Sequence, residues 1–199
     1  MNLTYTIGDA LYVNLTNRCP CACTFCIRNN GDGAYGSESL WLDREPAPEE
    51  VIADLKRYDL SRFSEIVYCG YGEPTEALDA LIASARFIRS VCATKIRINT
   101  NGLSDLIHGK PTAMLMQGLF DEVSISLNAG NAATYCRVTN PAFGMHSFDA
   151  MLQFAAQAKE LFPQVVFTVV DVISAEEIKE AQIVAENMGI PLRVRAYTE

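Results

Sequence analysis

The sequence predicts an α/β fold, an open (β/α)6 partial TIM barrel with six parallel strands. Strand-like runs alternate with helix-like amphipathic stretches along nearly the whole chain. Right-handed crossovers curl such strands into an open barrel. The residues of unusual chemistry fall at the ends of four successive strand-like runs, where open α/β sheets and barrels keep their chemistry. Apolar residues make up 49 % of the 199 positions. That is enough for a substantial single core, with no apolar run of membrane-spanning length.

Leu3 to Ile7 and Leu11 to Leu15 read as a hairpin across the turn-prone pair Gly8-Asp9. The second run enters a cysteine-rich stretch. Residues 29–40 are polar and glycine-rich, a loop whose far end Trp41 and Leu42 anchor. It is either a lid or wall beside a reactive centre or a plain surface insertion. Pro48-Glu49-Glu50 opens a helix to about Tyr58, with the acids suited to the helix dipole. Glu65 to Tyr68 is the second parallel strand, ending in Cys69-Gly70-Tyr71-Gly72-Glu73-Pro74, and a helix from about Glu76 to Val91 follows. Lys95 to Asn99 is the third strand, ending in Thr100-Asn101-Gly102. Residues 103–120 hold a short helix and connectors, and Val123 to Asn128 is the fourth strand. The section 129–146 reads as irregular, broken by Asn140-Pro141 and Gly144; Ser147 then caps a helix to about Leu161. Val165 to Val170 is the fifth strand, and the capping box Ser174 to Glu177 opens a helix that stops near Gly189. Leu192 to Arg195 is the sixth strand. The chain ends soon after it, which predicts an open side with little covering of its own.

The net charge is −8, with no long like-charge run, which argues against a nucleic-acid-binding module. The first residues carry neither a basic segment nor an apolar signal core, so a cytoplasmic protein is expected. Seven cysteines cannot all pair internally. In a reducing compartment, clustered cysteines point to metal or catalysis.

Four of the seven cysteines lie between Cys19 and Cys26. Cys19, Cys23 and Cys26 are separated by three and then two residues; three thiolates on one loop can hold three corners of an iron–sulfur cube, with the fourth left open. The alternatives are a zinc site, with Cys21 as fourth ligand, or a group of buried thiols. Gly70, Gly72 and Pro74 fix the path of a turn that allows close backbone approach to a ligand, and Glu73 brings charge to it. Alternation groups Ser124, Ser126 and Asn128 on one face of the fourth strand, Lys95, Arg97 and Asn99 on the third, and Arg193, Arg195 and Tyr197 on the sixth. The arginine nearest the top of such a face is suited to a carboxylate, and Asp171 has similar standing; a solvated rim is the other reading. Cys69, Cys92 and Cys136 read as core thiols, with Cys69 notable for its place at a strand end. His108 and His146 receive no role.

The spacing Cys-x3-Cys-x-aromatic-Cys, with Phe25 as the aromatic, resembles the signature of the radical S-adenosylmethionine (SAM) enzymes. Gly70-Tyr71-Gly72-Glu73-Pro74 resembles their Gly-Gly-Glu-Pro motif, with Tyr71 where the second glycine would lie. Tyr12 to Cys19, Cys69 to Pro74, Arg97 to Gly102 and Val123 to Ala129 are most similar to the TatD-linked radical SAM proteins. The resemblance implies a single core domain over residues 1–199, with a cluster loop over 16–47. It implies a [4Fe–4S] cluster on Cys19, Cys23 and Cys26, with Phe25 packed beside it and Cys21 dispensable. It also implies SAM held by Gly70, Gly72, Glu73 and Ser126, and the places of Asn99, Asn101, Asn128 and Arg195 at the strand ends add them to the expected SAM site. Glu73 and the backbone would bind the methionine amine, Ser126 the ribose, and Asn101 would contact the ligand or shape its turn. The implied reaction is reductive cleavage of SAM to a 5′-deoxyadenosyl radical that takes hydrogen from an unknown substrate. An external one-electron reductant of flavodoxin or ferredoxin type is implied, and the family name points to a TatD-type hydrolase as a linked partner. An iron–sulfur electron carrier or sensor, and a zinc-stabilised binding protein, are the rival readings; neither explains the glycines and asparagines at the other strand ends.

Overall fold

The computed structural model describes residues 1–33 and 36–197. Strands β1 (Thr4–Ile7) and β2 (Ala10–Val13) form the expected antiparallel hairpin, in register from Thr4 opposite Val13 to Ile7 opposite Ala10. Gly8, at φ 60°, supplies the left-handed turn residue. Strands β3 (Glu65–Tyr68), β4 (Lys95–Thr100), β5 (Glu122–Ser126), β6 (Gln164–Val170) and β7 (Leu192–Arg195) follow in order. The sheet has seven strands in sequential order, and every pairing from β2 to β7 is parallel. The hairpin thus adds an antiparallel edge strand to the expected parallel run.

The helices are α1 (Pro48–Leu55), α2 (Leu78–Val91), α3 (Ser104–His108), α4 (Ala132–Thr139), α5 (His146–Leu161) and α6 (Ala175–Met188). The α6 capping box forms as its residues dictate, with Ser174 and Glu177 each accepting the other's backbone N–H, and Gly189 ends the helix in the left-handed region. Alternate strand residues such as Leu11, Val13, Ile66, Ile96, Ile98, Val123, Ile125 and Phe167 form one buried core with Leu55, Leu81, Ile88, Met151, Phe154 and Ala181 of the helices. The opposite face of the sheet carries most of the polar strand residues, among them Glu65, Arg97, Asn99, Ser124 and Thr168, beside Tyr12, Val67 and Val166. Among the described residues, no helix is long and apolar enough to cross a membrane.

Four local expectations change. The first helix stops at Leu55 instead of Tyr58. A 3₁₀ turn over Pro74–Ala77 precedes α2, because the Glu73 carboxylate caps it by accepting the Thr75 N–H. The section expected to be irregular contains α4, capped by Asn131 through the Thr134 N–H and ended by Asn140 in the left-handed region. Ser147 is not a cap: α5 begins one residue earlier, and the buried Ser147 hydroxyl has no hydrogen-bond partner among the described residues. In the loop 29–40, Ala34 and Tyr35 lie outside the described residues. Its far end is anchored by buried Leu40 and Leu42, while Trp41 is 41 % exposed. Asn17 grips Leu42 from both sides, its Nδ2 donating to the carbonyl at 2.7 Å and its Oδ1 accepting the N–H at 3.0 Å.

Candidate functional site

A cavity of about 480 Å³ opens on the polar face. Cys19, Cys21, Cys23, Phe25 and Cys26 line it on one side, from the loop that follows β2. That loop is tied to the C-terminal end of α4. The Ala22 N–H donates to Thr139 O at 3.0 Å, the Thr24 N–H to Val138 O at 3.0 Å, and the Ala142 N–H to Pro20 O at 2.8 Å. The last carbonyls of a helix have no intrahelical donors, so the loop supplies them. Cys21 is buried between its neighbours, whereas Cys19, Cys23 and Cys26 are partly exposed. Hydrogen bonding with the Cys21 thiol draws the Cys19 and Cys23 pKa values down, and the same contacts push Cys21 up. Among the described residues, no three His, Cys, Asp or Glu side chains are grouped to hold a metal ion, although the Cys21 thiol meets those of Cys19 and Cys23 and all four cysteines of the loop line the cavity.

The turn after β3 crosses this loop closely. A Cβ on Gly70 would lie 2.0 Å from Asn14 Oδ1, and one on Gly72 2.3 Å from Thr16 O. The approach that requires these glycines is therefore to the chain's own β2 extension. Tyr71 braces the long loop, donating its hydroxyl to Gly31 O at 2.7 Å and meeting the Trp41 ring at 5.0 Å. Glu73 is only 4 % exposed. Its Oε1 accepts from Thr75 N–H at 3.2 Å, Thr75 Oγ1 at 2.8 Å and Thr100 Oγ1 at 2.7 Å, while Oε2 accepts the Asn101 N–H at 2.7 Å. Burial raises its pKa against the pull of these bonds.

Asn99, Asn101, Ser126, Asn128 and Arg195 line the same cavity. Asn99 Oδ1 accepts from Arg97 Nη1 at 2.7 Å, so Arg97 fixes the orientation of the amide. Asn101 shapes its turn by accepting the Leu103 N–H at 2.9 Å, and its Nδ2 stands 3.9 Å from the sulfurs of both Cys19 and Cys21. Asn128 holds a left-handed backbone at φ 57°, and its N–H donates to Thr168 O at 3.1 Å. Arg195 is exposed on the edge strand β7, where its charge acts on the Cys69 thiol. Asp171 fastens the stretch after β7, accepting the Tyr197 N–H at 2.6 Å. His108 has a structural partner, the Thr75 carbonyl, 2.7 Å from Nε2. Cys69 lines the cavity and burial raises its pKa, whereas Cys92 and Cys136 pack against the core.

The Radical SAM superfamily model matches residues 13–185. This chain belongs to the radical SAM superfamily. Streptococcus suis SuiB bound to S-adenosylmethionine is similar over 94 % of this chain and 38 % of SuiB, at 17 % identity and a TM-score of 0.67. A radical SAM methyltransferase from Sphaerobacter thermophilus is similar over 97 % of this chain and 68 % of its own, at 17 % identity and a TM-score of 0.62. The structure of anSMEcpe with bound AdoMet is similar over 94 % of this chain and 51 % of its own, at 16 % identity and a TM-score of 0.66. At these identities the likeness is one of fold, and the chain spans well under half the length of SuiB. No curated protein sequence matches the chain.

The radical SAM family implies SAM and an iron–sulfur centre, and the donor set fits such a centre. Three thiols from one loop, those of Cys19, Cys23 and Cys26, line a single cavity, and cysteine thiolates are the ligands that hold such clusters. The fully buried Tyr135 hydroxyl at this cavity has no hydrogen-bond partner among the described residues. Tyr135 and Thr139 of α4 were absent from the sequence-derived site because that segment carries a weak helical pattern and the breakers Asn140-Pro141. The Asn131 cap, with a helix-compatible run behind it, is the signal that marks them.

Proposed function

We propose that residues 1–199 form the core domain of a radical SAM enzyme, with residues 16–47 as its cluster loop. The observation that carries this reading is that Cys19, Cys23 and Cys26 share one cavity with the carboxyl ends of the parallel strands. Residues of both β1 and β7 line that cavity. Flat spacing would separate those edge strands by about 29 Å, which supports an open (β/α)6 partial barrel with the hairpin strand on its rim.

On this reading the three cysteines hold a [4Fe–4S] cluster, with Phe25 packed beside it. When bound, the cluster supplies the electron that cleaves SAM to a 5′-deoxyadenosyl radical. Glu73 Oε2, with a single donor among the described residues, keeps acceptor capacity for the SAM amine. The turn at Gly70 and Gly72 sets its path; Ser126 and Asn128 face the ribose; Asn99 presents an amide fixed by Arg97. Asn101 links the Glu73 carboxylate to the cysteine loop, and the exposed Arg195 guanidinium is available to a carboxylate on the open side. The similarity of Tyr12 to Cys19 and Cys69 to Pro74 to the TatD-linked proteins supports that subgroup, with a TatD-type hydrolase as linked partner and a flavodoxin or ferredoxin as reductant.

Anaerobic iron–sulfide reconstitution, followed by a dithionite-driven assay for 5′-deoxyadenosine from SAM, tests the reading. Cluster absorbance and SAM cleavage are expected in the parent, with the absorbance lost in Cys19→Ala and retained in Cys21→Ala. No cluster absorbance, or absorbance lost only in Cys21→Ala, overturns it.

A further inference from the structure

Helix α4 brings to the cysteine loop a group that the cofactor reading leaves unused. We infer that the Tyr135 hydroxyl donates a hydrogen bond to a sulfur of the iron–sulfur centre, a positioning contact that sets the reduction potential of the centre. Tyr135 is fully buried, yet its Oη has no hydrogen-bond partner among the described residues. The neighbouring Thr139 hydroxyl donates to the Tyr135 backbone carbonyl at 2.8 Å. A buried hydroxyl without a partner is costly, and such groups in native structures call for an explanation. Tyr135 lines the same cavity as Cys19, Cys23 and Cys26, and the Cys21 and Cys23 thiols lie near enough to act on its phenol.

The position of the hydroxyl is fixed from both ends. The Phe148 ring packs against Tyr135 with centroids 5.6 Å apart. One turn further along α4, the Val138 and Thr139 carbonyls hold the cysteine loop through Thr24 and Ala22, so phenol and thiols move as one unit. Burial, followed by the nearby Cys21 thiol, raises the Tyr135 pKa against the pull of the Thr139 hydroxyl, which lies close by but donates to the Tyr135 carbonyl and meets no hydrogen-bond geometry with Oη; the phenol stays protonated and able to donate. Hydrogen bonds to the sulfurs are among the features that set cluster potentials. A donor stabilises the more negative, reduced state, so its removal shifts the equilibrium towards the oxidised form.

The inference rests on the reading of Cys19, Cys23 and Cys26 as cluster ligands. The test is a redox titration, without SAM, of anaerobically reconstituted parent and Tyr135→Phe, together with thermal melts of both proteins before reconstitution. Equal cluster content is expected, with the variant's reduction equilibrium moved about three- to tenfold towards the oxidised form. Tenfold corresponds to about 59 mV for one electron. The unloaded variant is expected to melt no lower than the parent, because it loses only an unpartnered group. Unchanged potential with equal loading overturns the inference and leaves the ligand reading intact. A variant that fails to load but melts no lower supports the contact; one that melts lower when unloaded places the hydroxyl's partner in the protein and overturns it. A parent that takes up no cluster overturns the ligand reading and this inference with it.

Discussion

Glu73 holds a buried carboxylate at the point where the ends of β3 and β4 meet the cysteine loop. Its bonds to Thr75, Thr100 and Asn101 join those two strand ends, while burial keeps its pKa above the ordinary carboxylate value of about 4.3. A raised pKa means that the folded, ligand-free protein binds the proton more tightly, so the stability linked to this group is greatest in acid and is lost as pH rises through the raised value. Cation binding has the opposite dependence, because an ammonium favours the carboxylate. SAM affinity is therefore expected to fall as pH is lowered from neutrality towards the raised Glu73 pKa, and Glu73→Gln should weaken binding about tenfold or more and flatten that dependence. Equilibrium binding measured across pH checks both; an unchanged affinity in Glu73→Gln removes the residue from the SAM site. The residue types of this site were readable in the sequence, since cysteine spacing and an acid in a glycine turn are local patterns. The partner that demands glycine was not. Asn14, Thr16 and Arg18 meet Gly70 and Gly72 only after the sheet has formed.

At the scale of elements, α4 decides how firmly the cysteine loop is held. Its final carbonyls accept from Ala22 and Thr24, and an antiparallel bridge joins Cys21 to Pro141. These contacts use the backbone, which leaves little mark on side-chain choice. The helix is also short and ends at Asn140-Pro141, so its sequence reads more readily as a break than as support. The alternation of the longer elements is a stronger signal, and it located the strands and the helices α1, α2, α5 and α6 to within a few residues. The side chain that starts α4 provides its test. Asn131 Oδ1 accepts the Thr134 N–H at 2.9 Å, and its Nδ2 donates to Glu180 Oε2 at 2.7 Å. Asn131→Ala should cost about 1 kcal/mol, the usual value of such a cap, and lower the melting temperature by about 2–4 °C. Cluster retention on dilution should fall in parallel, because the helix end loosens with its start. A melt identical to the parent's would show that packing alone sets α4.

For the whole molecule, the two faces of the sheet have opposite character. The helix-covered face carries the apolar core, while the other face has ion pairs across its strands where closed barrels pack branched aliphatic side chains. Arg97, with 13 % of its side chain exposed, donates to Glu65 through Nε at 3.1 Å and Nη2 at 2.6 Å; Lys95 on β4 meets Glu122 on β5 at 2.6 Å. Alternation placed these charges on their strands, but their pairing depends on the register between parallel strands, which no local pattern encodes. Burial opposes the Arg97 charge, yet Glu65 more than offsets it and leaves the Arg97 pKa raised; the same contact lowers that of Glu65. A depressed carboxylate contributes stability that is present above its unfolded pKa and lost as pH falls through the folded value. Removing Glu65 alone leaves a mostly buried guanidinium unpaired. Glu65→Gln is therefore expected to lose about 2 kcal/mol, below the roughly 3–5 kcal/mol of fully buried pairs because water reaches part of this one. Adding Arg97→Gln removes the stranded charge and should restore all but about 1 kcal/mol, with a smaller loss of stability in acid than in the parent. Urea unfolding of the parent, the single and the double variant separates the terms. If the single variant matches the parent, the pair is solvated and the polar face owes it nothing. If the double variant is the least stable of the three, the pair acts as a structural strut between β3 and β4, and the polarity of this face then serves the sheet before any ligand.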